Sequence, residues 1–169
     1  MKSIISILLL FAMSDAPEII TLNEFYSGKG AVFGEHTPFP FRGHDYSKSI
    51  TPYINQIKRS ENILFDDYYN YRIKLFKDLN KKTSLIKKKY KKSICVRKKY
   101  YDYYRQYAGY IDKNNDTIIF IRLMNFSDTA ISNDCFSDWD KIISSWSGDP
   151  CQSNEEHFYI NLSQNKINY

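Results

Sequence analysis

The stretch Tyr100 to Phe126, YYDYYRQYAGYIDKNNDTIIFIRLMNF, places two runs rich in aromatic and β-branched residues on either side of Asp112, Lys113, Asn114, Asn115 and Asp116. Rings and branched side chains pack well on a pleated surface, whereas Asp and Asn tolerate left-handed backbone and hydrogen-bond their own turn. The stretch therefore reads as a β-hairpin. Upstream of it, Ile54, Ile57, Leu64, Tyr68, Tyr71, Leu75 and Leu79 recur at steps of three, four or seven, the spacing of one face of an amphipathic helix. Thr51-Pro52 suits the start of that helix, because a threonine hydroxyl caps a free amide and proline's φ fits the first turn. Arg59 to Asn62 interrupts the pattern and offers a place to bend or break. Glu61 sits on the apolar stripe there, and a carboxylate so placed needs a partner from the basic segment that follows.

That segment runs from Arg72 to Arg105, and within it Lys81 to Lys99 is dominated by lysine, with Ile86, Tyr90 and Ile94 spaced by four. The spacing predicts a second, more exposed helix or a continuation of the first, and Ile94-Cys95-Val96 favours an extended lead into the hairpin. Between Arg72 and Arg105 lie 14 Lys and Arg against only Asp78 and Asp102, which leaves the rest of the chain at −7 within an overall +5. The acids concentrate between Asp128 and Glu156. Two outcomes follow: the basic arm and the acidic tail neutralise each other within the fold, or the arm meets an external polyanion. Lys87, Lys88, Lys91, Lys98 and Lys99 with Tyr101 and Tyr104 are the candidate binding residues. Lysines neutralise phosphate or sulfate and rings stack, the composition of a polyanion-binding face.

After the hairpin, an acidic loop leads to Trp139-Asp-Lys-Ile-Ile-Ser-Ser-Trp146, which suits a short helix or a bulged strand, and Gly148-Asp149-Pro150 is a turn. His157 to Leu162 and Lys166 to Tyr169 read as two strands around Ser163-Gln164-Asn165. Residues 17–48 are punctuated by glycine and proline and read as irregular.

The amino terminus points outside the cytoplasm. Lys2 precedes an apolar core, Ile4 to Met13, too short to span a bilayer, and Ala12-Met13-Ser14 or Ser14-Asp15-Ala16 offers a small-x-small cleavage site. This is the pattern of a secretory signal peptide, and an exported, periplasmic or extracellular, protein is expected. In an oxidising compartment Cys95, Cys135 and Cys151 allow one bridge, and Cys135 with Cys151 are the nearer pair in sequence. With 169 residues, 15 of them Tyr and 11 Phe, the chain suits one domain whose sheet is rich in half-buried rings.

No catalytic motif or cofactor motif stands out, and no cofactor is expected. Gly28-Lys29-Gly30 lacks the Gly-Lys-Ser/Thr ending and the helix of a phosphate loop. Asp112, Asn114 and Asp116 match the first three ligand positions of a calcium loop, but Thr117 and Leu123 stand where glycine and glutamate belong, so a turn accounts for them. His157 with Glu156 and Asp138 is the rival, hydrolytic grouping; Glu35, His36, His44 and Asp45 form a looser one with no spacing that holds them together.

A helix followed by Tyr107-x-Gly109-Tyr110-Ile111 and by Trp139, Gly148 and Phe158-x-Ile160 resembles small exported bacterial proteins without an assigned activity. The resemblance implies that Trp139 to Trp146 is a strand. A helix wrapped by an antiparallel meander also looks like the cystatin-like arrangement, although Gln106-Tyr107-Ala108-Gly109 does not meet the inhibitor signature Gln-x-Val-x-Gly. The expectation is one α+β domain over 49–169, with one or two N-terminal helices on an antiparallel meander of about four strands, after a leader at 1–16 and an irregular 17–48. The expected activity is non-catalytic binding of an acidic protein, glycan or lipid headgroup, with no specific nucleic acid and no transmembrane span. A small hydrolase or an inhibitor or immunity-type protein is the alternative.

Overall fold

In the computed structural model, which describes residues 16–38, 45–143 and 150–168, the expected hairpin is the middle of a sheet. The described strands are β1 (Glu18–Ile20), β2 (Gly30–Val32), β3 (Tyr46–Ile50), β4 (Tyr103–Asp112), β5 (Thr117–Asn125), β6 (Glu155–Asn161) and β7 (Lys166–Asn168). The described helices are α1 (Ile54–Asp78), α2 (Ser93–Lys99) and α3 (Thr129–Phe136). The strands form one mixed sheet in the order β1-β2-β4-β5-β6-β7, with β3 also on β4.

The hairpin register runs from Tyr103↔Asn125 to Ile111↔Thr117. Its turn is built as the residues dictate: Asp112 Oδ1 accepts from the amides of Asn114 and Asp116, each at 2.9 Å, and Asn115 takes φ 66°. β4 to β7 are the antiparallel four-strand meander anticipated from the sequence. The sheet is larger than that expectation because the amino-terminal part is not irregular throughout. β1, β2 and the start of β3 come from it; β3 pairs antiparallel with β4, and β2 runs parallel to β4, with Gly30 opposite Arg105 and Val32 opposite Tyr107. Three-residue strands are too short to show a period, and they exist here because the edge of β4 offers a partner to β2, and β2 in turn to β1. Gly30 is required at that point: a Cβ there would lie 2.6 Å from the Tyr26 hydroxyl and 2.9 Å from the Tyr107 ring.

β5 is covered on both sides, which is why it reads as a nearly continuous apolar run. Ile119, Ile121 and Leu123 meet Ile57, Leu64, Phe65 and Tyr68 of α1 with Phe158 and Ile160 of β6. Ile118 and Phe120 face the other way, toward Phe33, Tyr110 and Ile143. α1 is unbroken through Arg59 to Asn62, since Ser60 bonds back to the Ile57 carbonyl at 2.8 Å and Arg59 reaches the Leu162 carbonyl at 2.7 Å. The helix begins later than Thr51-Pro52 suggests. Tyr53 is the N-cap, its amide donating to Gln56 Oε1 at 2.9 Å, while the Thr51 hydroxyl instead accepts from the Glu35 amide at 3.0 Å.

The lysine-rich segment is not one long helix. It forms 3-10 turns at Thr83–Leu85 and Lys88–Lys91, then α2, so residues 94–96 are helical instead of extended. Lysines at i and i+3 or i+4 repel one another along an α-helix, whereas around Val96, which is buried, apolar packing outweighs that repulsion. The acidic loop after the hairpin contains α3, capped by Asp128, whose carboxylate accepts from the amides of Ala130 and Ile131. Residues 139–143 form no strand, contrary to the implied one; the remainder of Trp139 to Trp146 lies outside the described residues. Gln106 holds this piece by donating to the carbonyls of Trp139 and Ile142, using main-chain groups that a strand would have paired. Cys135 and Cys151 are joined by a disulfide with Cα atoms 5.5 Å apart, and Cys95 is free. The leader expected at 1–16 lies, apart from Ala16, outside the described residues. Among those residues no helix is long and apolar enough to cross a membrane.

Candidate functional site

The lysine-rich segment is held to the body by a few inward side chains. Ile86 and Val96 are buried, and Tyr90 sets its ring edge-on to Tyr68 at 5.6 Å. The Arg97 guanidinium lies 5.5 Å from the Phe25 ring and 5.3 Å from the Phe65 ring and donates to the Glu24 carbonyl at 3.0 Å. Lys99 is the strongest anchor: its Nζ lies 2.6 Å from Glu156 Oε1, donates to Tyr68 Oη at 2.9 Å and to Tyr100 Oη, and sits 4.2 Å from the Tyr100 ring. Arg72 approaches the other oxygen of Glu156 at 3.7 Å. Burial alone would lower the Lys99 pKa, but the adjacent Glu156 charge and the hydrogen bonds outweigh it and hold Lys99 above its ordinary value. A lysine held protonated is a structural cation and not a base.

The other lysines face outward. Lys87, Lys88, Lys89, Lys91, Lys92 and Lys98 are exposed, and among the described residues none of them forms an ion pair. Lys89 and Lys91 lie 5.4 and 5.3 Å from the rings of Tyr90 and Tyr69. No Asp or Glu occurs between Leu79 and Tyr101. Of the binding residues anticipated from the sequence, Lys87, Lys88, Lys91, Lys98 and Tyr101 are exposed on this segment. Lys99 and Tyr104 are not part of that face. Lys99 is occupied by Glu156, and Tyr104 stacks on Phe126 at 4.2 Å and meets Trp139 edge-on at 5.0 Å. Strand alternation is the reason: Tyr103 packs toward Tyr100 and α1, so its neighbour Tyr104 points through the sheet.

The hydrolytic grouping is not brought together. Glu156 and His157 are successive residues of β6, so Glu156 points to Lys99 and Arg72 while His157 lies beside Phe120 and Tyr159 on the opposite face. Asp138 is exposed and pairs with Lys141 at 2.9 Å. The carboxylates of the hairpin turn are used within the fold: Asp112 binds the turn itself as above, and Asp116 accepts from Asn161 at 2.8 Å and Gln164 at 2.6 Å at the end of β6 and the turn after it, bonds that hold its carboxyl below the ordinary range. In the early loop Glu35 and His36 are 3.8 Å apart, Asp45 accepts from the Lys113 amide through its carbonyl, and His44 lies outside the described residues. Among the described residues no three His, Cys, Asp or Glu could hold a metal ion together.

The buried polar centre is Glu61, fully enclosed beneath β4. It accepts from Tyr107 Oη at 2.8 Å and from Arg105 Nε at 3.4 Å, and Arg105, equally buried, donates to the carbonyls of Tyr100 and Tyr103 and lies 4.3 Å above the Tyr26 ring. The partner required for Glu61 is thus the last residue of the basic span. Its identity has a faint signal in the sequence, since β4 places Arg105 and Tyr107 on the face that α1 covers. Arg122 is also buried, between Glu155 and Gln106, inside what reads as a purely apolar strand. Glu61 and Arg105 secure α1 to the sheet, Arg122 and Glu155 tie β5 to β6 on its other face, and both pairs lie away from the exposed lysines. No protein family, curated protein or solved structure matches the chain, which leaves the chemistry of its own side chains as the guide to what it does.

Proposed function

We propose that the protein is an exported, non-catalytic binding module whose outward lysines hold an acidic partner. One observation carries this reading: of the Lys and Arg residues between Lys81 and Lys99, only Lys99 has a carboxylate partner among the described residues. A basic arm that merely neutralised the acidic tail would be laced to it. Among the described residues, Lys99 is the one residue of Lys81 to Lys99 that makes that connection, on the carboxylate that Arg72 also approaches, and a row of ammonium groups is left to act on an external anion. The body beneath supplies rigidity, because Ile86, Val96, Arg97 and Lys99 fix the segment before any partner arrives. Export rests on the charged start at Lys2 and the apolar run from Ile4 to Met13.

Retention on a sulfated resin tests the reading. The protein is expected to bind at low salt and to elute as salt screens the charges. A combined Lys87→Gln, Lys88→Gln, Lys91→Gln and Lys98→Gln variant elutes markedly earlier. Absence of binding at low salt, or retention unaltered by those substitutions, removes the proposal.

A further inference from the structure

The outward face of the lysine-rich segment is not only basic. Leu79, Leu85 and Ile94 are 53%, 69% and 54% exposed, and Tyr101, at its end, is 40% exposed. Each lies among exposed lysines: Leu79 and Leu85 bracket Lys81 and Lys82, and Ile94 follows Lys91 and Lys92. Ile86, between Leu85 and Lys87, is buried, so the segment has an apolar inner side of its own and does not need Leu85 or Ile94 for its docking.

We infer that this face attaches the protein peripherally to an anionic lipid surface. The inference rests on the polyanion reading above and narrows it. A sulfated or phosphorylated glycan in solution offers charge but no hydrocarbon, so exposed leucine and isoleucine gain nothing from it. A bilayer with anionic headgroups offers both: ammonium groups pair with phosphates while Leu85 and Ile94 enter the acyl boundary and the Tyr101 ring rests at the headgroup level. The absence of Asp and Glu from Leu79 to Tyr101 removes the repulsion that such a surface would exert. The described helices include none able to cross a membrane, so contact is made from one side, by a preformed patch. Charge complementarity and apolar side chains in the same short segment together favour this occupant over a glycan.

The test co-sediments the purified protein with phosphatidylcholine vesicles and with vesicles containing added phosphatidylglycerol, alongside the sulfated resin. Binding is expected to the anionic vesicles and much less to the neutral ones. A Leu85→Ser, Ile94→Ser variant, whose changes are exposed and leave the melting temperature unaltered, is expected to lose about tenfold in vesicle affinity while its resin retention stays the same. Leu85→Met, Ile94→Met restores the vesicle binding. Equal vesicle affinity for the Ser variant and the wild type overturns the lipid inference. Retention on resin without any binding to anionic vesicles also overturns it and leaves the polyanion reading standing; failure on both removes both.

Discussion

Lys98 and Lys99 are neighbours with the same side chain and opposite surroundings. Lys98 is exposed among unpaired lysines, whereas Lys99 is enclosed by Tyr68 and Tyr100 and bound to Glu156. The contrast extends to the regions they represent. In one, Arg97, Lys99, Arg105 and Arg122 meet carbonyls, rings and carboxylates inside the fold; in the other, Lys87, Lys88, Lys89, Lys91 and Lys92 are exposed and have no carboxylate partner among the described residues. Lys98 and Lys99 share one stretch of the chain, so charge density along the sequence does not distinguish a structural cation from a partner-seeking one. A compensating carboxylate within reach does.

The largest effect is expected where the enclosed charges are deepest. Arg105→Ala leaves Glu61 buried without its cation and costs about 3–5 kcal/mol, read from the urea midpoint, while Glu61→Gln, which keeps an acceptor for Tyr107, costs less. An Arg105→Ala midpoint equal to wild type would mean that the pair does not secure α1.

Alkaline pH attacks the same enclosed region. Burial pushes the Tyr26 hydroxyl up to about 12 and raises Tyr100 and Tyr107 well above the ordinary 10.0. The folded state therefore holds protons that the unfolded chain releases near pH 10. The stability from this difference is complete below pH 10 and is lost as pH rises toward 12, on the order of 2 kcal/mol from Tyr26 alone. Lys99, raised above 10.5, adds to the loss in the same direction. Tyrosinate absorbance followed with circular dichroism should show these tyrosines ionising only as the fold opens; ionisation with the fold intact refutes the enclosure.

Next in size is Lys99→Met, which keeps the apolar stem and leaves Glu156 with Arg72 at 3.7 Å, at a cost of about 2 kcal/mol in thermal unfolding. Smallest is Lys98→Gln, within about 0.5 kcal/mol of wild type in stability yet weaker in resin retention. Were Lys99→Met to lower retention at constant stability and Lys98→Gln to lower stability at constant retention, the assignment of the two regions would be reversed.

Much of the frame was legible before any coordinates. The hairpin, its Asp-Asn turn, the stripe of α1 and the two closing strands each carry a local signal, because period and turn chemistry are properties of a few adjacent residues. The need for a partner at Glu61 was legible too, as a carboxylate on an apolar stripe. β1 and β2 were not, since three-residue strands exist only by virtue of the edge they join. Nor was α3, although Asp128 stood in place as its cap, because its short run of Ala, Ile, Cys and Phe has too little periodicity to outweigh the acids around it. Tyr104 misled because a run of tyrosines has no visible phase, and in a strand each neighbour points through the opposite face.

The order of residues determined the local shapes and the position of the charge, since both follow from side chains and their immediate neighbours. It could not determine which lysine would meet Glu156, which arginine would lie under α1, or that Glu156 and His157 would be parted by the sheet. Those are relations between segments tens of residues apart. Desolvation makes them matter: a charge that folding carries out of water must find its counterpart there, and a charge left in water remains available to something else.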